Sequence, residues 1–102
     1  MADLSVVTAS PVVVEEHVSF TLVSLCRASG AEPGQVHELV GEGLLQPAGQ
    51  GTDNWQFGGD ALPQTRRALR LAHDLELSLS GVALVLDLLA EIERLQSALR
   101  RQ

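Results

Sequence analysis

The sequence has no lysine, a single cysteine, Cys26, and only three aromatic residues, Phe20, Trp55 and Phe57. Each scarcity excludes something. Seven arginines against thirteen acidic residues leave a net charge of −6. Affinity for nucleic acid comes largely from neutralising phosphates, so no direct nucleic-acid partner is expected unless the few arginines gather on one surface. A basic protein surface is the more natural ligand. One cysteine cannot form an internal disulfide, and it fits a reducing compartment. No charged leader with an apolar stretch and cleavage pattern opens the chain, and no apolar run approaches a membrane span. A cytoplasmic location without membrane attachment is the expectation.

Catalytic and ligand-holding patterns are absent as well. No nucleophile sits with a base, no carboxylate pair marks a cleft, and no phosphate loop has the required spacing. His17, His37 and His73 lie far apart with no second ligand at metal spacing. Neither an enzyme nor a cofactor is expected.

What is present is a small aliphatic domain. Forty-five per cent of the 102 residues are apolar, mostly Leu, Val and Ala, enough for one core. The organising stretch runs from Thr21 to Pro47 and reads as two short helices joined by a tight turn. Thr21 can cap the first, Leu22, Leu25, Cys26 and Ser29 share its inner face, and Gly30 can close it in a left-handed conformation. The second is expected over Pro33 to Glu42, with proline tolerated in its first turn and Val36, Leu39 and Val40 as its buried stripe. Two such helices cannot bury both stripes alone.

The rest of the chain must cover them. Residues 1–17 read as a lead-in with a possible short strand, since β-prone Val12, Val13, Val14, Val18 and Phe20 follow the Ser10-Pro11 break. After Gly43, Leu44 and Leu45 can plug the core. Five glycines from Gly43 to Gly59, Asp53-Asn54 and the alternation Trp55-Gln56-Phe57 mark a small β-wing. A third helix is expected from Leu62 or Pro63 to Leu75, with Asp60 as a possible cap and Ala68, Leu69, Ala72 and Leu75 as its apolar stripe. Its Arg66, Arg67 and Arg70 read by default as a solvated face.

The last helix should begin after Ser78, with Leu77 and Val82 as a hydrophobic staple, and reach Arg100, about 33 Å further on. It carries two stripes. Val82, Leu86 and Leu89 can pack on the domain. Val85, Leu88, Ile92, Leu95 and Leu99 continue past it as a seam of about two heptads, and a homodimer through this helix is the simplest cover.

This order of elements resembles winged helix-turn-helix regulators of the MerR type. The residues that carry the likeness are Gly30, the exit Gly43-Leu44-Leu45-Gln46-Pro47, Asp60-Ala61-Leu62, and the segments Arg67 to Leu71 and Leu75 to Leu79. Within that superfamily Val18-Ser19-Phe20-Thr21-Leu22, Leu25-Cys26, Glu38-Leu39-Val40-Gly41, Pro47, Trp55, Phe57 and Asp74-Leu75 resemble the chaperone-modulator family typified by CbpM. The departure is at the start, where this chain has extra residues before Val18. The resemblance implies a mostly α, MerR-like winged helix-turn-helix with a small β-wing over residues 18–77 and a long C-terminal dimerisation helix over 78–102. It also implies a non-enzymatic inhibitor. Proteins of that family bind the J-domain of a DnaJ-like co-chaperone, CbpA, prevent it from stimulating its Hsp70 partner, DnaK, and reduce its binding to DNA.

The charges supply an independent check. A DNA-reading second helix and wing need basic or amide donors. Between Ala31 and Phe57 stand Glu32, Glu38, Glu42 and Asp53 and no arginine. These four carboxylates, with Trp55 as an apolar anchor, are the candidate partner-binding residues for the basic second helix of a J-domain, where they would mimic an acidic Hsp70 surface. Individually each carboxylate is an ordinary solvated charge, and Trp55 reads slightly better as a cap on the small core than as an anchor. The rival reading is a MerR-type DNA-binding transcriptional regulator, which would need Arg66, Arg67 and Arg70 to make the phosphate contacts.

Overall fold

The computed structural model of the protein describes residues 19–102. The strand expected around Val12 to Val14 lies outside the described residues. The elements are β1 (Ser19–Phe20), α1 (Leu22–Ser29), α2 (Pro33–Gly41), a 3-10 turn (Thr52–Asn54), β2 (Phe57–Gly58), α3 (Ala61–Leu75) and α4 (Leu79–Arg100).

Local chemistry sets the first two helices. Thr21 Oγ1 accepts the Ser24 N–H at 3.0 Å, while Ser24 Oγ accepts the Thr21 N–H at 2.9 Å. Two free donors of the first turn are thus satisfied reciprocally. Gly30 takes φ 84° and its N–H bonds back to the Cys26 carbonyl at 2.8 Å, a left-handed stop that a side chain would resist. α2 opens on Pro33 and ends one residue earlier than the sequence predicts, with Glu42 as its cap. Gly43 then turns at φ 83°. The N–H groups of Leu44 and Leu45 both reach the Leu39 carbonyl, at 2.9 and 3.3 Å, and this tight wrap drops Leu45 into the core.

The wing is small. β1 and β2 pair antiparallel, Ser19 opposite Gly58 and Phe20 opposite Phe57, and an isolated bridge joins Ala48 to Gln56. Phe57 is buried; Trp55 precedes the strand as an extended residue. Together Leu25, Val36, Leu39, Leu45, Phe57 and Val82 centre the core, which is aliphatic apart from one ring.

α3 corrects two expectations. Asp60 is not a side-chain cap: its backbone is already helical, at φ −72° and ψ −12°, and its carboxylate makes no capping bond. The third helical residue is Pro63, which has no N–H to offer. Leu75 is 54% exposed rather than part of the inner stripe. Glu76 takes a left-handed conformation at φ 54°, which swings Leu77 onto the core in its place.

α4 begins as expected, with Ser78 Oγ accepting the Gly81 N–H at 3.0 Å. Its first turns bury Leu79, Val82 and Ala83. Over its 22 residues, about 33 Å at the helical rise, it leaves the domain behind. Leu89, expected to pack inward, is 41% exposed where it borders a cleft against Leu44 and Gln64.

Candidate functional site

α2 and the wing form one exposed surface. Val36 and Leu39 pin α2 to the core, which turns His37 and Glu38 outward. The wing folds against this outer side through rings. His37 and Trp55 lie 5.0 Å apart centroid to centroid at an interplanar angle of 47°. Trp55 and Phe57 meet edge to face at 5.7 Å and 80°, a geometry the aromatic quadrupole favours. Trp55 is half-buried and packs against the core, as a cap would. His37, singled out by the sequence only as a histidine without a metal-spaced partner, packs its ring against it. No spacing rule pairs positions 37 and 55; only the fold does.

The four carboxylates are all exposed, but they do not act alike. Glu32 stands before α2, where the Gln35 side-chain oxygen accepts its N–H at 2.9 Å. Glu38 projects from the outer face of α2, and Asp53 lies in the 3-10 turn two residues before Trp55. Glu42 is tied down: its Oε2 accepts the Ser80 hydroxyl at 2.8 Å, joining the end of α2 to the start of α4. Glu38 and Asp53 thus stay unengaged among the described residues, Glu32 lies near enough to Cys26 for its charge to act on the thiol, and Glu42 is bonded to Ser80.

The arginines of α3 differ in what engages them. Arg66 donates to the Ala28 carbonyl at 3.1 Å, near the C-terminal end of α1, where a cation is favoured. Its role is partly structural, not that of a purely solvated charge. Arg67 turns the other way and lines a shallow cleft of about 200 Å³ with Leu44, Gln64, Leu86, Leu89 and Glu93. Arg70 is exposed and makes no hydrogen bond or ion pair among the described residues. Of the trio that a DNA reader would require, Arg66 is engaged by α1 and Arg67 borders the cleft beside α4.

Chemistry elsewhere is quiet. Cys26 is half-buried, and burial with the nearby Glu32 charge raises its thiol pKa, which keeps it in the less nucleophilic protonated form. Among the described residues no three His, Cys, Asp or Glu side chains converge on a metal position. No described helix is long and apolar enough to cross a membrane.

On α4 the outward stripe is real. Leu88, Ile92, Leu95 and Leu99 are exposed, Val85 is half-buried, and Leu84 joins them at 60% exposure. Leu84 lies one turn before Leu88, a spacing that could have placed it in the seam from the sequence.

A helix-turn-helix with a short wing and a long trailing helix defines the class, and the comparison with known families agrees. Residues 20–101 match the family described as MerR HTH family regulatory protein. The chain is also 37% identical over 84 residues to the chaperone modulatory protein CbpM of Salmonella arizonae, covering 82% of this chain and 83% of the relative. The CbpM of Pseudomonas putida is 38% identical over 80 residues, 78% of this chain and 79% of the relative. That of Citrobacter koseri is 37% identical over 79 residues, 78% of each. The chain belongs to the CbpM family of chaperone modulatory proteins, whose members are named as modulators and not as enzymes.

Proposed function

We propose that this protein binds the J-domain of a DnaJ/CbpA-like co-chaperone in the cytoplasm and inhibits its stimulation of Hsp70 (DnaK). One observation carries the reading. The helix and wing that a helix-turn-helix would lay against DNA carry Glu32, Glu38 and Asp53, all exposed, with Trp55 half-buried, and no lysine or arginine stands from Ala31 to Phe57. Carboxylates repel phosphates and attract the lysines and arginines of a basic helix. Complementary charge speeds and orients docking, while a half-buried aromatic supplies the desolvated contact that holds the complex. Occupying the J-domain's basic helix would deny it to Hsp70. The apolar stripe of α4, formed by Val85, Leu88, Ile92, Leu95 and Leu99, pairs two copies into a homodimer in the same reading.

The test is calorimetric titration of an isolated J-domain with wild-type protein and with Glu38→Lys plus Asp53→Lys, alongside Hsp70 ATPase stimulation. The reading expects binding and inhibition by wild type, and at least tenfold weaker binding by the folded variant. Unchanged affinity in the variant overturns the site. A salt-sensitive shift of duplex DNA without J-domain binding would favour the DNA-reading alternative.

A further inference from the structure

Two shallow clefts meet beside the start of α3. The first, about 200 Å³, is the one that Arg67 lines with Leu44, Gln64, Leu86, Leu89 and Glu93. The second, about 330 Å³, opens between the exit of α2 and the wing, with Gly43, Gly58, Asp60 and Ala61 in its walls. Leu44 and Gln64 line both. They therefore form one groove, from the wing along the first turns of α3 to the middle of α4. Its chemistry changes in order along the way. Asp60 stands at the wing end, Gln64 and then Arg67 follow along α3, and the apolar edge of α4 at Leu86, Leu89 and Ala90 comes last.

The chain itself enters at the wing end. Ser19 pairs with Gly58 and Phe20 with Phe57 in antiparallel register. Continued backwards, that register sets Val18 opposite Gly59 and His17 opposite Asp60, which delivers the chain upstream of Ser19 to the mouth of the groove. Residues 1–18 lie outside the described residues. They also precede the family match, which begins at residue 20, so the family likeness assigns them no role. Their sequence complements the groove in the same order. Reading back from Ser19 come His17, then Glu16 and Glu15, then Val14, Val13 and Val12. The lengths agree as well. Extended, Val12 to Val18 spans about 23 Å, and Asp60 to Arg67 takes up about 10 Å of helix, so the valines can reach α4.

We propose that residues 12–18 occupy this groove in their own molecule, as a strap from the wing to α4. His17 lies beside Asp60, Glu16 and Glu15 meet Gln64 and Arg67, and the three valines cover Leu86, Leu89 and Ala90. Carboxylate and guanidinium pair there by charge-assisted hydrogen bonds, and the valines remove apolar surface from water. Glu93, beyond Arg67, repels the two glutamates if they slide further along, which fixes the register. Because the strap is tethered at Ser19, its effective concentration at the groove is high, and modest contacts hold it. The inference is independent of J-domain binding.

The experiment uses the full chain with Cys26→Ser, since Cys26 is the only native thiol. One variant adds Val13→Cys and Leu89→Cys. Its control adds Val13→Cys and Asp87→Cys, Asp87 being exposed on α4 and outside the groove. A second groove pair, Glu16→Cys with Gln64→Cys, samples the wing end. Disulfide formation under mild oxidant is followed by non-reducing electrophoresis and intact mass, on variants that circular dichroism shows to be folded. A tether without a seat meets Leu89 and Asp87 at similar effective concentrations, whereas the strap closes both groove pairs within one chain about tenfold faster than the control. Arg67→Glu slows the Val13–Leu89 closure severalfold, and adding Glu15→Arg plus Glu16→Arg restores it. Equal closure at Leu89 and Asp87, or closure indifferent to Arg67→Glu, overturns the strap. Disulfides that form only between two chains also overturn it, and give the groove to a second copy.

Discussion

Ser80 and Glu42 are 38 positions apart in sequence and joined by a 2.8 Å hydrogen bond from the serine hydroxyl to the carboxylate. The bond links the end of α2 to the start of α4, and the carboxylate stands where a helix N-terminus favours negative charge. Removing the hydroxyl with Ser80→Ala should cost about 0.5–1 kcal/mol, since both groups are exposed and regain water. Glu42→Gln should cost a similar amount, and a double-mutant cycle in urea should show the two losses coupled. Because Glu42 is already engaged, its substitution should weaken J-domain binding less than Glu38→Gln. Equal binding losses would place Glu42 at the centre of the interface instead of its border.

The same pair shows where sequence reasoning stops. Caps are local, so Thr21, Gly30 and Ser78 announce the helix ends they make. The acidic character of α2 and the wing is plain from residue types alone. Asp60 misleads because a cap needs a donor two or three residues on, and Pro63 removes one. Leu75 and Leu89 fit apolar stripes on a helical wheel, but a wheel does not say where the neighbouring surface ends. The contacts His37 with Trp55, Ser80 with Glu42 and Arg66 with the Ala28 carbonyl join distant segments. Such pairings belong to the tertiary fold, and no periodicity in one sequence encodes them.

Arg66 offers a direct comparison with its neighbour one turn away. Its guanidinium donates to the Ala28 carbonyl at 3.1 Å, whereas Arg70 makes no such bond among the described residues. Arg66→Ala should lower stability by about 0.5–1.5 kcal/mol, through the lost bond and the lost cation at the end of α1. Arg70→Ala should stay within about 0.5 kcal/mol of wild type, as surface changes do. Urea denaturation of the two variants side by side checks both values, and equal effects would remove the structural role from Arg66.

Thr65 is fully buried in α3, and its Oγ1 has no hydrogen-bond partner among the described residues. A buried hydroxyl without a partner costs on the order of 1–3 kcal/mol. Thr65→Val keeps the branched shape and removes the polar atom, so it should raise stability by about 1 kcal/mol, seen as a melting temperature several degrees higher. Thr65→Ala removes a buried methyl as well as the hydroxyl, and the methyl's loss should leave this variant less stable than Thr65→Val. Destabilisation by valine would mean that the hydroxyl has a hydrogen-bond partner.

The seam of α4 makes the strongest demand on solution behaviour. Leu84, Leu88, Ile92, Leu95 and Leu99 are between 48% and 69% exposed, yet they repeat at spacings of four, four, three and four along one face. Isolated exposed leucines need no explanation, but a continuous stripe of them does. Burying each against a second copy would contribute roughly 1.5–3 kcal/mol. A charge at the middle of so short a seam should therefore weaken association by at least a hundredfold, since each 1.4 kcal/mol is a factor of ten. Ile92→Glu should sediment as a monomer at concentrations where wild type is a dimer, while the core around Leu25, Val36 and Val82 keeps the domain folded. Leu84→Glu tests whether the stripe extends one turn towards the domain, and it should loosen the dimer less because it sits at the seam's edge. Wild type that sediments as a monomer throughout would show that the stripe has another cover.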